Sequence, residues 1–455
     1  MPGKLTLTDL SELAKAGEID TVLVVQVDMQ GRLMGKRFHV DFFLDGAWEE
    51  THACNYLHAT DMEMETVQGY AATSWARGYG DYVMKPDLDT MRRIPWLEGT
   101  ALVMCDVLDH HGHALVPHAC RSVLRGQVER LEAKGWTAQM ASELEFFLFK
   151  ETYEEAQAKR HLGLTPISAY NADYHIFQTT KEEDVMRAVR NGLNGADVPV
   201  ENSKGEADAG QEEINVRYAP ALVMADRHAI IKNGVKEIAW KAGRSVSFMA
   251  KWDYDRAGNS SHIHMSLAGE DGGNLFFDPD APHGMSATMR AWMAGLLEHA
   301  AEITWFLAPN INSYKRFVPG TFAPTRIVWS MDNRTAGFRV VGEGTRGVRV
   351  ECRIGGADLN PYLAMAALIA AGLDGVERGL DLPPAFAGDA YGSEDAGEVP
   401  ATLREAMALL DGSTFLRGAF GDKVVDHYVH AARIEQMEMD RRVTDWELKR
   451  GFERS

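Results

Sequence analysis

The sequence is short of positive charge: 47 Lys and Arg stand against 66 Asp and Glu, a formal net charge of −19 at pH 7. No Lys/Arg run offsets that deficit, so a phosphate backbone or an anionic membrane surface would be repelled, and neither nucleic acid nor membrane is expected as a partner. Cysteine is scarce too. Cys54, Cys105, Cys120 and Cys352 are scattered without a Cys-x-x-Cys spacing, which speaks against a zinc knuckle or a disulfide framework and for a reduced, cytoplasmic home. Long apolar runs are missing as well. The first twenty residues carry Asp9, Glu12 and Glu18 without an apolar h-region, and the most apolar later stretch, 363–371, is far too short to span a bilayer. What remains is an ordinary globular composition, 45% hydrophobic and 25% charged over 455 residues. At roughly 150 residues per domain this is two or three domains with a large core.

Leu7, Leu10 and Leu13 mark a short amphipathic helix, and the β-branched run 21–27 turns at Gly31 and resumes through Phe38, so a small α+β domain is expected over 1–105 and a larger one over 106–455. Helical patterns recur from Arg121 to Gly135, over 221–242 and over 286–307, the last opening at Ser286 as N-cap; Asn360-Pro361 opens another. Strands are expected near 137–149, 213–218, 245–251, 261–267 and 338–354, and the Gly, Pro, Asp and Ala of 380–400 read as a linker. Three tempting motifs fail. Gly31-Arg-Leu-Met-Gly35-Lys36 leads into strand and not helix, as does Gly342-Glu-Gly344-Thr-Arg-Gly347, so neither offers phosphate a helix N-terminus. His110, His111, His113 and His118 flank Gly112 in what reads as a solvated turn.

Side chains two apart on a strand share a face. Glu143 and Glu145 therefore point together, as do His262, His264 and Ser266, then Arg349, Glu351 and Arg353, then Glu213, Asn215 and Arg217. Any one of these could be the wet face of an antiparallel sheet. Together they offer Glu, His and Arg and no Lys. Clustered carboxylates repel unless neutralised, and hard ions such as Mg²⁺ or Mn²⁺ suit oxygen ligands with an occasional imidazole. Arginines on the same floor suit phosphates and carboxylates, so the pattern points to metal-dependent phosphoryl transfer and to a nucleotide-using enzyme.

The motifs then become specific. Gly80-Asp-Tyr-Val-Met-Lys-Pro86 to Pro95-Trp96, Ser142-Glu143-Leu-Glu145-Phe146, Gly210-Gln211-Glu-Glu213, Asn312-Ser313-Tyr314-Lys315-Arg316-Phe-Val-Pro319-Gly320, Asn333-Arg334, Arg349-Val-Glu351-Cys-Arg353 and Asn360-Pro361-Tyr362-Leu363 occur in order. The chain resembles the bacterial class I glutamine synthetase superfamily over nearly its whole length. The resemblance implies an α+β fold, with an N-terminal β-grasp domain and a catalytic domain built on a curved antiparallel sheet. It also implies a double-ring dodecamer whose active sites are closed by a neighbour's N-terminal domain. By matching position it implies Glu145, Glu206 and Glu213 as ligands of a first metal and Glu143, His262 and Glu351 of a second, with two or three Mg²⁺ or Mn²⁺ in all. Arg316 and Arg353 resemble clamps for the carboxylates of glutamate, with Gly258 on the same side of the pocket. Arg334, Arg339 and Arg349 resemble the phosphate-facing catalytic set, and Glu201, His264 and Ser266 resemble contacts to ATP.

The departures are as informative. Where glutamine synthetases read Pro-Gly-Tyr-Glu-Ala-Pro, with a glutamate that helps bind ammonium, this chain reads Pro319-Gly320-Thr321-Phe322-Ala323-Pro324. In place of the family's Phe-Asp-Gly-Ser-Ser stands His52-Ala-Cys54-Asn55-Tyr56-Leu57. Losing anionic groups and gaining Phe322 disfavours a small cation and favours an acceptor with an apolar body. The expectation is a γ-glutamyl-amine ligase that joins glutamate to an organic amine through γ-glutamyl phosphate. The loss of the flap acid tilts the acceptor towards aniline-like amines and leaves ethanolamine, alkylamines and polyamines open. An ammonia-using glutamine synthetase and a non-catalytic relative are the competing readings.

Overall fold

The computed structural model describes residues 3–455. Strands β1 (Thr21–Val27), β2 (Leu33–His39), β3 (Thr51–Cys54), β4 (Asp81–Pro86), β5 (Arg92–Arg93) and β6 (Thr100–Asp109) form a six-stranded sheet in the order β2-β1-β6-β4-β3, with β5 on β6. The β1–β2 hairpin turns over Asp28–Arg32, where the buried Asp28 carboxylate accepts from the backbone N–H of Gln30 and of Arg32, so the glycine-containing loop is a hairpin turn. β1 runs parallel to β6, which closes the small domain over Leu10, Val22, Val24, Phe43 and Val103.

The second sheet carries the chemistry. Its strands are β7 (Thr137–Phe149), β8 (Val200–Gly205), β9 (Gln211–Val216), β10 (Ala219–Pro220), β11 (Ser245–Ser247) and β12 (Ser261–Ala268). Past β13 (Arg326–Ile327), which lies outside it, it continues through β14 (Trp329–Met331), β15 (Phe338–Val341) and β16 (Arg349–Cys352). The order is β14-β15-β16-β12-β7-β9-β8, antiparallel except for β14 with β15. One face of each strand is apolar: Leu144, Phe146, Ile263, Met265, Val350 and Ile214 are buried against the helices Ala221–Lys241, Ala287–Leu307 and Pro361–Arg378. The last two helices cross where Gly295 meets Gly375. A Cβ on either would come within 2.2 Å of a carbonyl oxygen of the other helix, so only glycine permits this approach. With that side of the sheet sealed, the other face is left for polar side chains.

The small domain is pinned to the large one at two buried points. Asn360, N-cap of the helix Pro361–Arg378, also donates through Nδ2 to the carbonyls of Asp28 and Met29. Arg121 bonds Asp226 of the helix Ala221–Lys241, Asp106 of β6 and Asp87, which follows β4, so the boundary expected at 105/106 falls inside β6. Among the described residues no helix is long and apolar enough to cross a membrane, and all four cysteines are free.

Two readings of the sequence need correction. The stretch 380–400 is no linker: Trp329 Nε1 donates to the Pro383 carbonyl (2.8 Å), the Phe386 N–H to the Trp329 carbonyl (2.9 Å), and β17 (Gly397–Glu398) pairs with β13. Its proline and glycine fix a strap along the sheet edge. Nor is His118 solvated with His110, His111 and His113. It is buried, within 3.2 Å of the Tyr82 hydroxyl and 4.3 Å ring to ring from His427. Burial pushes His118 down to about 4 and the neighbouring His58 to about 3, from 6.5. The unfolded chain takes up protons that the folded one refuses. This share of stability is therefore full above pH 6.5 and drains as pH falls towards those values, by up to about 1.4 kcal/mol per unit for each imidazole. The melting temperature should drop between pH 7 and 5, and less steeply in His118→Gln; parallel slopes would refute the assignment.

Candidate active site

Strand register lays the polar residues in three rows across the sheet. Arg339 on β15 sits opposite Glu351 on β16, which sits opposite His264 on β12. His262 lies opposite Glu143 on β7, which lies opposite Asn215 on β9. Glu145 lies opposite Glu213, and Glu213 opposite Lys204 on β8.

Two groupings of donor atoms result. Oxygens of Glu145, Glu206 and Glu213 lie within 4.8 Å of one another, and so do ligand atoms of Glu143, His264 and Glu351. The second grouping closes with His264 where the sequence named His262. His262 is at hand, with Nδ1 3.1 Å from Glu143 and 3.4 Å from Glu351, so both imidazoles serve the same pair of acids. Burial pushes both Glu213 and Glu145 above the usual carboxylate range, with mutual repulsion of the three carboxylates adding to it. Such a set cannot ionise fully without positive charge, and all-carboxylate oxygen donors suit Mg²⁺ or Mn²⁺. In the second grouping burial alone would raise Glu143, yet hydrogen bonds with His262 and His264 (3.1 and 2.8 Å) hold it well below the usual carboxylate range. The residues fit two hard divalent ions.

The arginines divide by depth. Glu351, with no side-chain exposure, accepts from Arg339 Nη1 (2.8 Å) and Arg353 Nη1 (2.5 Å). Arg316, also buried, donates through Nη2 to the carbonyls of Ile354 (2.5 Å) and Gly355 (2.8 Å), and a Cβ at Gly258 would sit 2.4 Å from its Cγ. That site needs glycine. Among the described residues, buried Nε of Arg316 and of Arg353 find no partner, which leaves each a donor for an anion entering the cavity. Arg334 is exposed at the cavity rim, and Arg349 Nε lies 3.2 Å from His264 Nδ1.

Two cavities meet over this floor. One of about 600 Å³ is lined by Glu145, Glu206, Glu213, Gly258, His262, Arg316, Phe322, Arg334, Arg339 and Arg353. Its neighbour, about 680 Å³, is lined by Glu201, His264, Ser266 and Arg349, and Glu143 belongs to both. The rim of the first is greasy. Phe322, 58% exposed, and Tyr174, 67% exposed, stand there with Ile176 and Thr321. Phe322 holds the left-handed region at φ 59°, and its carbonyl accepts from Arg353 Nη2 at 3.4 Å.

Several residues of the site carried no role in the sequence reading. Gln211 Nε2 bonds Glu145 (3.2 Å) and the Gly258 carbonyl (3.0 Å), and the Ser260 N–H and Oγ bond Glu145 (2.7 and 2.5 Å). Gln211 lies inside a motif already singled out, two residues before Glu213, whereas Ser260 reaches Glu145 only through the fold. Lys204 is different. Its ammonium is paired with Glu206, lies 3.7 Å from Asp173 and stands over the Tyr174 ring at 4.5 Å, so the floor is not free of lysine.

Comparison with known proteins gives the family. The family model described as glutamine synthetase, catalytic domain, matches residues 117–451. The chain is similar to gamma-glutamylethanolamide synthetase GlnA4 of Streptomyces coelicolor, 50% identical over 99% of this chain and 96% of that one. It is also similar to the glutamate–isopropylamine ligase of a Pseudomonas species, 34% identical over 98% of each. Among solved structures it resembles a GmaS/ADP complex with a TM-score of 0.85 at 27% identity, over 98% of this chain and 99% of that one.

Proposed function

From the premise that the chain belongs to the glutamine synthetase family, we propose that it is an ADP-forming ligase that joins the γ-carboxylate of glutamate to a small aliphatic amine, ethanolamine first among them. The observation that carries the choice of an organic amine over ammonia is Phe322 at the cavity rim, where the family's flap has an acid. The acceptors in the names of the relatives, ethanolamine and isopropylamine, favour an aliphatic amine over the aniline-like one towards which the lost acid leans.

The residues divide the work of two steps. A γ-carboxylate oxygen attacks the terminal phosphorus of ATP and ADP leaves; the amine nitrogen then attacks the acyl carbon of γ-glutamyl phosphate and inorganic phosphate leaves. Divalent ions held by Glu145, Glu206 and Glu213 and by Glu143, Glu351 and an imidazole would supply positive charge to the transferring phosphoryl group. Arg316 and Arg353 hold the carboxylates of glutamate through their free Nε donors, which fixes the nucleophile in place. Arg339 reaches the phosphoryl group from β15 and Arg334 from the rim, while Glu201, His264, Ser266 and Arg349 line the adjoining cavity for the nucleotide. Phe322 and Tyr174 shield the acyl phosphate from water. A cytoplasmic dodecamer completes the reading, with the segment 52–57 serving a neighbouring subunit's site.

An amine panel tests it. With ATP, glutamate and Mg²⁺, phosphate release with ethanolamine or isopropylamine should exceed that with ammonium at least about tenfold in kcat/KM, a difference of about 1.4 kcal/mol. Highest turnover with ammonium would restore glutamine synthesis; none with any amine would leave the non-catalytic reading.

A further inference from the structure

We infer that Lys204 sets the affinity of the first ion site by neutralising one of its three carboxylates. The placement follows from the backbone. Lys204 lies opposite Glu213 in the β8–β9 pairing and two residues before Glu206, so its side chain is directed to the acids from the strand itself. The stem is 18% exposed, the ammonium is paired with Glu206, and Asp173 and the Tyr174 ring enclose it from the other side. Carboxylates and an aromatic face make a stable seat for a primary ammonium.

The charge arithmetic gives the consequence. Glu145, Glu206 and Glu213 ionised carry three negative charges, and Lys204 cancels one. The two left match a divalent ion. An ion bound there shares Glu206 with a fixed cation and feels its repulsion at short range, so it is held more weakly than three acids alone would hold it. The opposite grouping of Glu143, His264 and Glu351 contains no lysine and serves as an internal reference.

The inference rests on the reading of Glu145, Glu206 and Glu213 as ion ligands, and the test separates the two. Metal-stripped protein is titrated with Mn²⁺, and free Mn²⁺ is followed by electron paramagnetic resonance. In Lys204→Met one of the two affinities should tighten about tenfold or more while the other moves less than threefold; Lys204→Arg, which keeps the charge, should stay near wild type. Lys204→Gln replaces Lys204→Met should the latter not fold. Mn²⁺ bound equally or more weakly without the lysine overturns the role of Lys204. Wild-type protein that binds no Mn²⁺ at this site defeats both the role and the ligand reading.

Discussion

Replacing Glu351 by glutamine should lower phosphate release by at least about 10³-fold at saturating amine. This one carboxylate, with no exposure, accepts from Arg339 and Arg353, faces His262 and belongs to the Glu143–His264–Glu351 grouping. A neutral amide cannot satisfy two guanidiniums, because its –NH₂ end presents donors to donors. The substitution therefore weakens an ion site and frees two arginines from their positions at once. It also leaves buried positive charge uncompensated, a cost of about 3–5 kcal/mol when one partner of a buried pair is removed. A thermal melt beside the phosphate assay separates the two effects. Protein still folded at assay temperature should turn over at the reduced rate, and activity within about tenfold of wild type would show that Glu351 is structural only.

Phe322→Glu should move the acceptor preference towards ammonia, raising the ratio of kcat/KM for ammonium to that for ethanolamine at least about tenfold. A carboxylate there offers a charge-assisted hydrogen bond worth about 1.5–3 kcal/mol to a small cation, where the phenyl ring offers apolar area to an alkyl body. The backbone does not confuse the comparison. Phe322 already holds the left-handed region at φ 59°, and glutamate, which is not β-branched, adds no greater backbone strain there than the ring it replaces. Phe322→Leu, apolar and without charge, should keep the wild-type ratio. An unchanged ratio in Phe322→Glu would move the choice of acceptor away from the flap.

The floor of the site could be read in the sequence because its strands alternate cleanly. Leu144 between Glu143 and Glu145, and Ile263 between His262 and His264, mark which side packs on the helices. β8 has no such pattern: Val200–Gly205 reads VENSKG, with both faces polar, on the outer edge of the sheet. Only pairing with β9 makes it a strand, and so Lys204 escaped notice. His118 escaped for a related reason. It stands a few residues beyond an exposed turn, and what buries it is His427 on a helix three hundred residues away in sequence. The strap at 380–400 misled through composition, since proline and glycine that favour mobility in isolation also suit a chain fixed by backbone hydrogen bonds to an edge strand.

That strap has a consequence for how such an enzyme could diverge. The flap carrying Phe322 is followed by Thr325, whose carbonyl accepts from Val399, and by β13, which is paired with β17. The loop carrying Phe322 is thus anchored at two places, through the Phe322 carbonyl to Arg353 beside β16 and through Thr325 and β13 to a peripheral segment. Changes in that outer band would shift the far end of the flap while Arg353 holds the near end, a way to alter which amines are admitted without replacing any ion ligand.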